Sequence, residues 1–127
     1  MTAVGAKDED SLYAVASVEH RWVKVGRARC VHTRLVQLQA YCWDRLRIAA
    51  EAAGAGRREM AVQWFLRDHW SHGEWYRPGA LAIIESIGDF GAWSKAVVKQ
   101  VRAEVGSLGN HSMMRALMRE HQLKAAR

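Results

Sequence analysis

The chain has few cysteines and no long apolar run. Cys30 and Cys42 are its two cysteines, twelve positions apart and without a Cys-x-x-Cys pair, which argues against a zinc ribbon or a disulfide scaffold. No apolar stretch approaches the roughly 20 residues of a membrane-spanning helix. The acidic start around Asp8, Glu9 and Asp10 lacks the basic and apolar regions of a signal peptide. We therefore expect a reduced, cytoplasmic protein without a membrane segment.

Acidic residues are also scarce relative to basic ones. The 127 residues include 19 Lys and Arg against 13 Asp and Glu, which gives a net charge of +6. Such an excess favours a polyanionic partner, with nucleic acid as the first candidate. Half of the residues are hydrophobic, so the chain is expected to bury one small core.

Two strands and a helix are predicted in the first third of the chain. Residues 1–10 have little to bury, and we expect a flexible amino terminus there. Leu12–Ala16 and Arg21–Val25 are then predicted strands joined by a short hairpin turn. Thr33–Gln39 has helical spacing that turns Arg34 away from the core.

The middle of the chain predicts a third strand and a second helix. Asp44–Ala49 alternates polar and apolar side chains, as a strand does, with helix over residues 49–55 as the alternative. After the Gly54 and Gly56 break, Arg58–Trp70 has amphipathic helical spacing with Glu59 in its first turn.

The remainder predicts helices around one turn-rich segment. Gly73–Gly79 is rich in turn and aromatic residues, and helices are predicted over Ala80–Ile87 and over about 92–105 and 111–125. The predicted fold is α+β, with a small three-stranded, mainly antiparallel sheet flanked by helices. Residues 11–87 form the predicted domain, and residues 88–127 a basic helical carboxy-terminal extension.

Four side chains match the tasks of phosphodiester hydrolysis. A carboxylate such as Glu59 can hold a divalent cation, and the planar, permanently charged guanidinium of Arg34 suits phosphate oxygens. Tyr13 and Lys24 are candidates for positioning or deprotonating water, provided that their pKa values of about 10 are lowered. Singly, each of the four also fits an ordinary structural role: a strand aromatic, a surface charge or a helix-dipole partner.

The order of these residues resembles the GIY-YIG nuclease superfamily, and within it the T5orf172-like branch of phages and bacteria. Ser11-Leu12-Tyr13 stands at the first motif and Lys24-Val25-Gly26 at the second. Arg34 follows at the spacing of the family's arginine, and Glu59 stands at the position of its glutamate. The branch pattern continues from Glu59 through His72-Gly73-Glu74-Trp75-Tyr76, so that the resemblance covers about residues 11–87.

The resemblance implies a DNA endonuclease in the cytoplasm of a bacterial cell, encoded by the bacterium or a phage. It implies that Glu59 binds Mg²⁺ or Mn²⁺, that Arg34 stabilises the transition state, and that Lys24 helps Tyr13 to activate water. The products would carry a 5′-phosphate and a 3′-hydroxyl. The sequence departs from the pattern at Ser11-Leu12, where Gly-Ile is usual, and at Gln63, where histidine is usual.

Other partners and functions remain as hypotheses. The basic residues predicted to bind nucleic acid are Arg27, Arg29, Lys95, Lys99 and Arg102. RNA is an alternative substrate to DNA. The alternative function is a DNA-binding module that keeps the nuclease fold with weak or no catalysis. A third hypothesis is an interaction protein, with a homodimer formed through the Met-rich carboxy-terminal helices.

Overall fold

A computed structural model describes residues 10–106 and 111–125. Within these residues the strands are β1 (Ser11–Ser17), β2 (Val23–Ala28), β3 (Leu46–Ala52), β4 (Trp70–His72) and β5 (Trp75–Tyr76). The helices are α1 (Val31–Gln39), α2 (Glu59–Phe65), α3 (Pro78–Glu85), α4 (Phe90–Val105) and α5 (His111–Ala125). Short 3-10 turns at Gly56–Arg58 and Arg67–His69 flank α2. The expectation for residues 1–9 lies outside the described residues.

The strands form one antiparallel sheet in the order β3-β1-β2-β5-β4. The α+β class is confirmed, as are the hairpin of β1 and β2 and the third strand beside β1. The alternative of helix over residues 49–55 is wrong, because β3 continues to Ala52.

The prediction of three strands is wrong, since the sheet has five. The helix predicted over Arg58–Trp70 ends at Phe65, and the chain then enters a 3-10 turn and a tight hairpin. Gly73 takes a φ of 55° in that hairpin, a conformation that glycine adopts without strain. The hairpin strands have three and two residues, too few to show the alternation that marks a strand in a sequence.

β1 is the central strand, and every residue from Ser11 to Ser17 is buried. Its side chains alternate between two apolar clusters, as strand geometry requires. Leu12 and Ala14 face the larger cluster, which α2, α3 and α4 cover, whereas Tyr13 and Val15 face a smaller cluster beneath α1. The face that carries Tyr13 therefore also carries α1, the helix of Arg34.

The carboxy-terminal helices pack into the larger cluster. Val97 and Val101 of α4 and Met114 of α5 are almost fully buried there, and Met118 packs against the same cluster. The Met-rich face of α5 thus makes contacts within the chain. The domain boundary predicted at residue 88 and the homodimer stay predictions.

Three contacts fix the start of α2 and hence the position of Glu59. The Gly56 amide donates to the Asp10 carbonyl at 3.0 Å, which ties the turn before α2 to the start of β1. Arg58 donates through Nη1 to the Gly91 carbonyl at 2.9 Å and to Ser94 Oγ at 3.0 Å, which ties it to α4. Among the described residues, no helix is long and apolar enough to cross a membrane.

Candidate active site

The Tyr13 side chain is fully buried in the centre of the sheet, and its hydroxyl group lies near the Arg34 guanidinium. No donor or acceptor among the described residues meets hydrogen-bonding geometry at that oxygen. Burial raises the pKa of Tyr13, and the nearby Arg34 guanidinium acts in the opposite direction. Leaving a buried polar atom unpaired costs about 1–3 kcal/mol, so such an atom in a folded protein calls for an explanation. A ligand that accepts or donates a hydrogen bond there would remove the cost.

Gly26 makes room for the Tyr13 ring on the neighbouring strand. The two residues are directly opposite in the β1–β2 pair. A Cβ atom at residue 26 would lie 2.5 Å from the Tyr13 hydroxyl oxygen and 2.7 Å from Cζ. Real side chains cannot approach that closely, so glycine at this position sets where the hydroxyl group points.

Lys24 lies on the same face of the sheet and forms an ion pair. It is opposite Val15 on β1 and Trp75 on β5, which places its side chain beside both. Its Nζ lies 2.5 Å from Oε1 of Glu74, the residue that precedes β5. Lys24 is therefore an ion-paired group in this site. Any proton transfer by Lys24 would require its ion pair with Glu74 to break.

Arg34 extends from the fourth position of α1 toward Tyr13. Its one hydrogen bond among the described residues runs from Nε to Gln37 Oε1 at 3.2 Å, and no carboxylate in that part of the chain pairs with it. Arg21, Arg47 and Arg67, in contrast, are paired with glutamates. The Arg34 guanidinium thus lies near the Tyr13 hydroxyl group without an acid to neutralise it in the described part of the chain, which agrees with the predicted contact to phosphate.

Glu59 is the first residue of α2 and is half-buried. Burial, and then the nearby Glu74 carboxylate, raise its pKa to about 7, against the lowering effects of Arg27, Lys24 and Arg115. A carboxyl group whose pKa is raised this far is typical of functional sites. A cation bound between Glu59 and Glu74 would offset both causes of the raised pKa, the burial of Glu59 and its repulsion by Glu74.

Glu59 and Glu74 are the residues suited to a metal ion. Carboxylate oxygens are the hard ligands that Mg²⁺ and Mn²⁺ prefer, and two of them with bound waters would make a typical magnesium site. Both side chains line the same cavity, and repulsion from Glu74 contributes to the raised pKa of Glu59. The donor set therefore fits the predicted cofactor.

Glu19, His20 and Asp44 form the one group of three potential ligands found among the described residues. The Asp44 carboxylate accepts hydrogen bonds there from the Glu19 amide at 3.2 Å, the His20 amide at 3.0 Å and His20 Nδ1 at 2.9 Å. Because these donors already satisfy it, the group stabilises the turn between β1 and β2 and is a poor metal site.

Helix α5 forms one wall of the cleft at Glu59. A cavity of about 240 Å³ lies between α2, the β4–β5 turn and α5. Glu59, Gln63 and Glu74 line one side, and Arg115 and Arg119 of α5 line the other. The cleft thus combines two acidic groups for a cation with arginines for a polyanion.

The residues predicted to bind nucleic acid are dispersed. Arg27 forms a hydrogen-bonded ion pair with Asp10 at 2.9 Å. Arg29 is exposed at the end of β2. The α4 residues Lys95, Lys99 and Arg102 are exposed at a spacing that places them on one helix face, and none of the three lines the cleft.

Sequence reasoning missed three contributions to the site. Glu74 was part of the sequence pattern that runs to Tyr76, but it was not among the predicted catalytic or metal-binding residues. Arg115 and Arg119 were counted only as charge, because nothing local indicates that α5 returns to Glu59. Gln63, noted as a departure, donates from Nε2 to the Val25 carbonyl at 2.9 Å and so joins α2 to β2.

Comparisons of the chain with family models, curated proteins and solved structures found no match. The candidate site therefore stands on its own geometry, and the resemblance to GIY-YIG nucleases stays a hypothesis.

Proposed function

We propose that this protein is a divalent-metal-dependent endonuclease that hydrolyses phosphodiester bonds in DNA, with a GIY-YIG-like site. The observation that carries the proposal is the buried, unpartnered Tyr13 hydroxyl group beside an arginine that lacks an acidic partner among the described residues. The adjoining carboxylates of Glu59 and Glu74 complete the group of side chains to which we assign catalysis. The resemblance in residue order supports the same conclusion.

The proposed chemistry assigns one task to each group. A water oxygen attacks phosphorus, the bond from phosphorus to the 3′ oxygen breaks, and the proton lost by the water is balanced by one gained by the leaving oxygen. Arg34 binds the non-bridging phosphate oxygens, whose charge grows in the transition state. The neutral Tyr13 hydroxyl group and the paired Lys24 ammonium group orient the water. A cation held by Glu59 and Glu74 would supply Lewis acidity at the phosphate.

The arginines of α5 extend this site toward the rest of the substrate. Arg115 and Arg119 lie across the cleft from Glu59, where they would bind phosphates next to the one that is cut. Such contacts position the backbone and carry no sequence information. We therefore expect these arginines to contribute to affinity in a salt-dependent way and little to sequence preference.

The test is cleavage of supercoiled plasmid in Mg²⁺ or Mn²⁺ by identically purified wild type, Glu59→Gln and Arg34→Ala. We expect nicking by wild type and its loss in both variants and in chelator. Glu120→Gln is the matched control, because Glu120 is an exposed α5 carboxylate that pairs with Lys124. Equal cleavage by all four preparations would reveal a contaminating nuclease and refute the assignment.

One observation favours the alternative of a binding module with weak catalysis. The Lys24 ammonium group is held by Glu74, so the group suggested to activate water is already bound to an anion. This alternative leads us to expect salt-sensitive DNA binding that persists in chelator and in Glu59→Gln, without cleavage in any metal. Fluorescence anisotropy with labelled duplex DNA measures that binding directly.

A further inference from the structure

A second cavity, of about 370 Å³, lies between the β1–β2 turn, the end of α1 and the β4–β5 hairpin. Its walls are mainly aromatic and apolar, formed by Trp22, Tyr41, Trp75 and Leu38 together with His20 and His72. Trp22 and His72 meet edge to face, with ring centroids 6.3 Å apart. The size is within the range of ligand pockets in proteins.

Two large aromatic side chains, one on the cavity wall and one close to it in the sequence, are almost wholly in solvent. Tyr41 is 93% exposed and lines the cavity, and Trp43, two residues further on, is 103% exposed. Single exposed apolar residues are common and need no explanation. The exposed Tyr41 ring, on the wall of a pocket that is itself aromatic, offers a surface on which a planar ring can stack.

The cavity adjoins the candidate active site through Trp75. Trp75 is directly opposite Lys24 in the sheet and follows Glu74, the ion-pair partner of Lys24. It also packs in the same cluster as Tyr13. A ring held in the cavity would therefore lie within about one side chain of Lys24 and Tyr13, the groups that are proposed to orient the attacking water.

We propose that this cavity binds an unpaired nucleobase next to the phosphate that is cut, with Trp43 stacking on the neighbouring base. The proposal rests on the proposed nuclease function for its position relative to the cut. Stacking on aromatic side chains recognises bases exposed by strand separation or extrusion, whereas paired bases in a duplex offer no free face. His20 holds Asp44 through Nδ1, which leaves Nε2 as its polar atom for a base edge.

The proposed nucleobase cavity also indicates which aromatic residues would face the nucleic acid. Trp64 and Trp70 make contacts within the chain. Trp64 lies beneath Arg67, whose Cζ is 4.2 Å from the ring centroid, and Trp70 donates through Nε1 to the Gly73 carbonyl at 2.8 Å. The exposed rings are those of Tyr41 and Trp43.

The experiment measures binding without catalysis. Fluorescence anisotropy in chelator compares one labelled single-stranded oligodeoxynucleotide with its duplex, for wild type, Tyr41→Ala and Trp43→Ala. Both side chains are exposed, so neither variant should disturb folding. Leu123→Ala is the matched control, because Leu123 is an exposed apolar residue of α5, 61% accessible and outside the cavity.

We expect each aromatic variant to weaken single-strand binding by about five- to 100-fold, the range for one base–aromatic stack, with duplex binding nearly unchanged. Unchanged single-strand affinity, or equal losses on both DNAs, would overturn the proposal. If wild type never cuts plasmid but the aromatic variants lose affinity for single-stranded DNA alone, the nucleobase site stands and the nuclease proposal fails. If plasmid is cut but no selective loss appears, the nuclease proposal stands and this one fails.

Discussion

Replacing Glu59 by Gln should stabilise the protein at alkaline pH while it removes cleavage. The pKa of the Glu59 carboxyl group rises from 4.5 to about 7 on folding, first because it is buried and then because Glu74 is near. Between these pH values the folded state binds more protons than the unfolded state, so this group's contribution to the free energy of unfolding falls as pH rises. Gln is uncharged at every pH, so the variant does not lose this part of the free energy of unfolding as pH rises.

The magnitude follows from that rise in pKa. At about 1.4 kcal/mol for each pH unit, the upper bound is about 3 kcal/mol. Because the site is partly open to solvent, screening reduces this to about 1–2 kcal/mol. For a domain of this size, that corresponds to a rise in Tm of roughly 4–8 °C.

The assay is thermal unfolding of wild type and Glu59→Gln in chelator, at pH 5 and pH 8. We expect a small difference in Tm at pH 5, where Glu59 is mostly protonated in the folded protein but already mostly ionised in the unfolded chain, and a larger one at pH 8, with the variant the more stable. Manganese at pH 8 should stabilise wild type and leave the variant unchanged. A variant that is less stable at pH 8, or a difference that does not depend on pH, would refute the reasoning.

Three further expectations follow from the same site. Tyr13→Phe removes only the unpartnered hydroxyl group and should raise the free energy of unfolding in urea by about 1 kcal/mol; a loss of that size would mean that the hydroxyl group has a stabilising partner. Gly26→Ala brings Cβ to 2.5 Å from the Tyr13 hydroxyl oxygen and should cost about 1–3 kcal/mol in the same assay, whereas Gly88→Ala, with no atom within 4 Å of its Cβ, should cost far less. Arg34→Lys keeps the charge but loses the planar fork, and we expect the plasmid cleavage rate to fall by about 100-fold or more; a rate near that of wild type would show that charge alone suffices.

Patterns with a local cause were predictable. Strand-forming residue types indicated β1, alternation indicated the strand that became β3, and the spacing of apolar residues predicted α1 with Arg34 off the core. Glu59 in the first turn of α2 was predicted from the glycine break before it, and the structure confirms that position. Each of these features depends on residues within one element.

Features that depend on distant residues were not predictable. Nothing near Lys24 indicates that its partner is Glu74, 50 residues away. The β4–β5 hairpin has strands of two and three residues, which form because β2 offers an edge for β5 to pair with. Likewise, the position of Arg115 beside Glu59 depends on how α5 packs on α2.

The most direct test of the central claim is the initial rate of plasmid nicking by wild type and Tyr13→Phe in Mn²⁺. The variant keeps the fold and lacks only the buried oxygen atom around which the proposed site is arranged. We expect a loss of about 100-fold or more, with duplex binding unchanged. If Tyr13→Phe nicks as fast as an active wild type, the Tyr13 hydroxyl group has no part in catalysis and the proposed site is wrong.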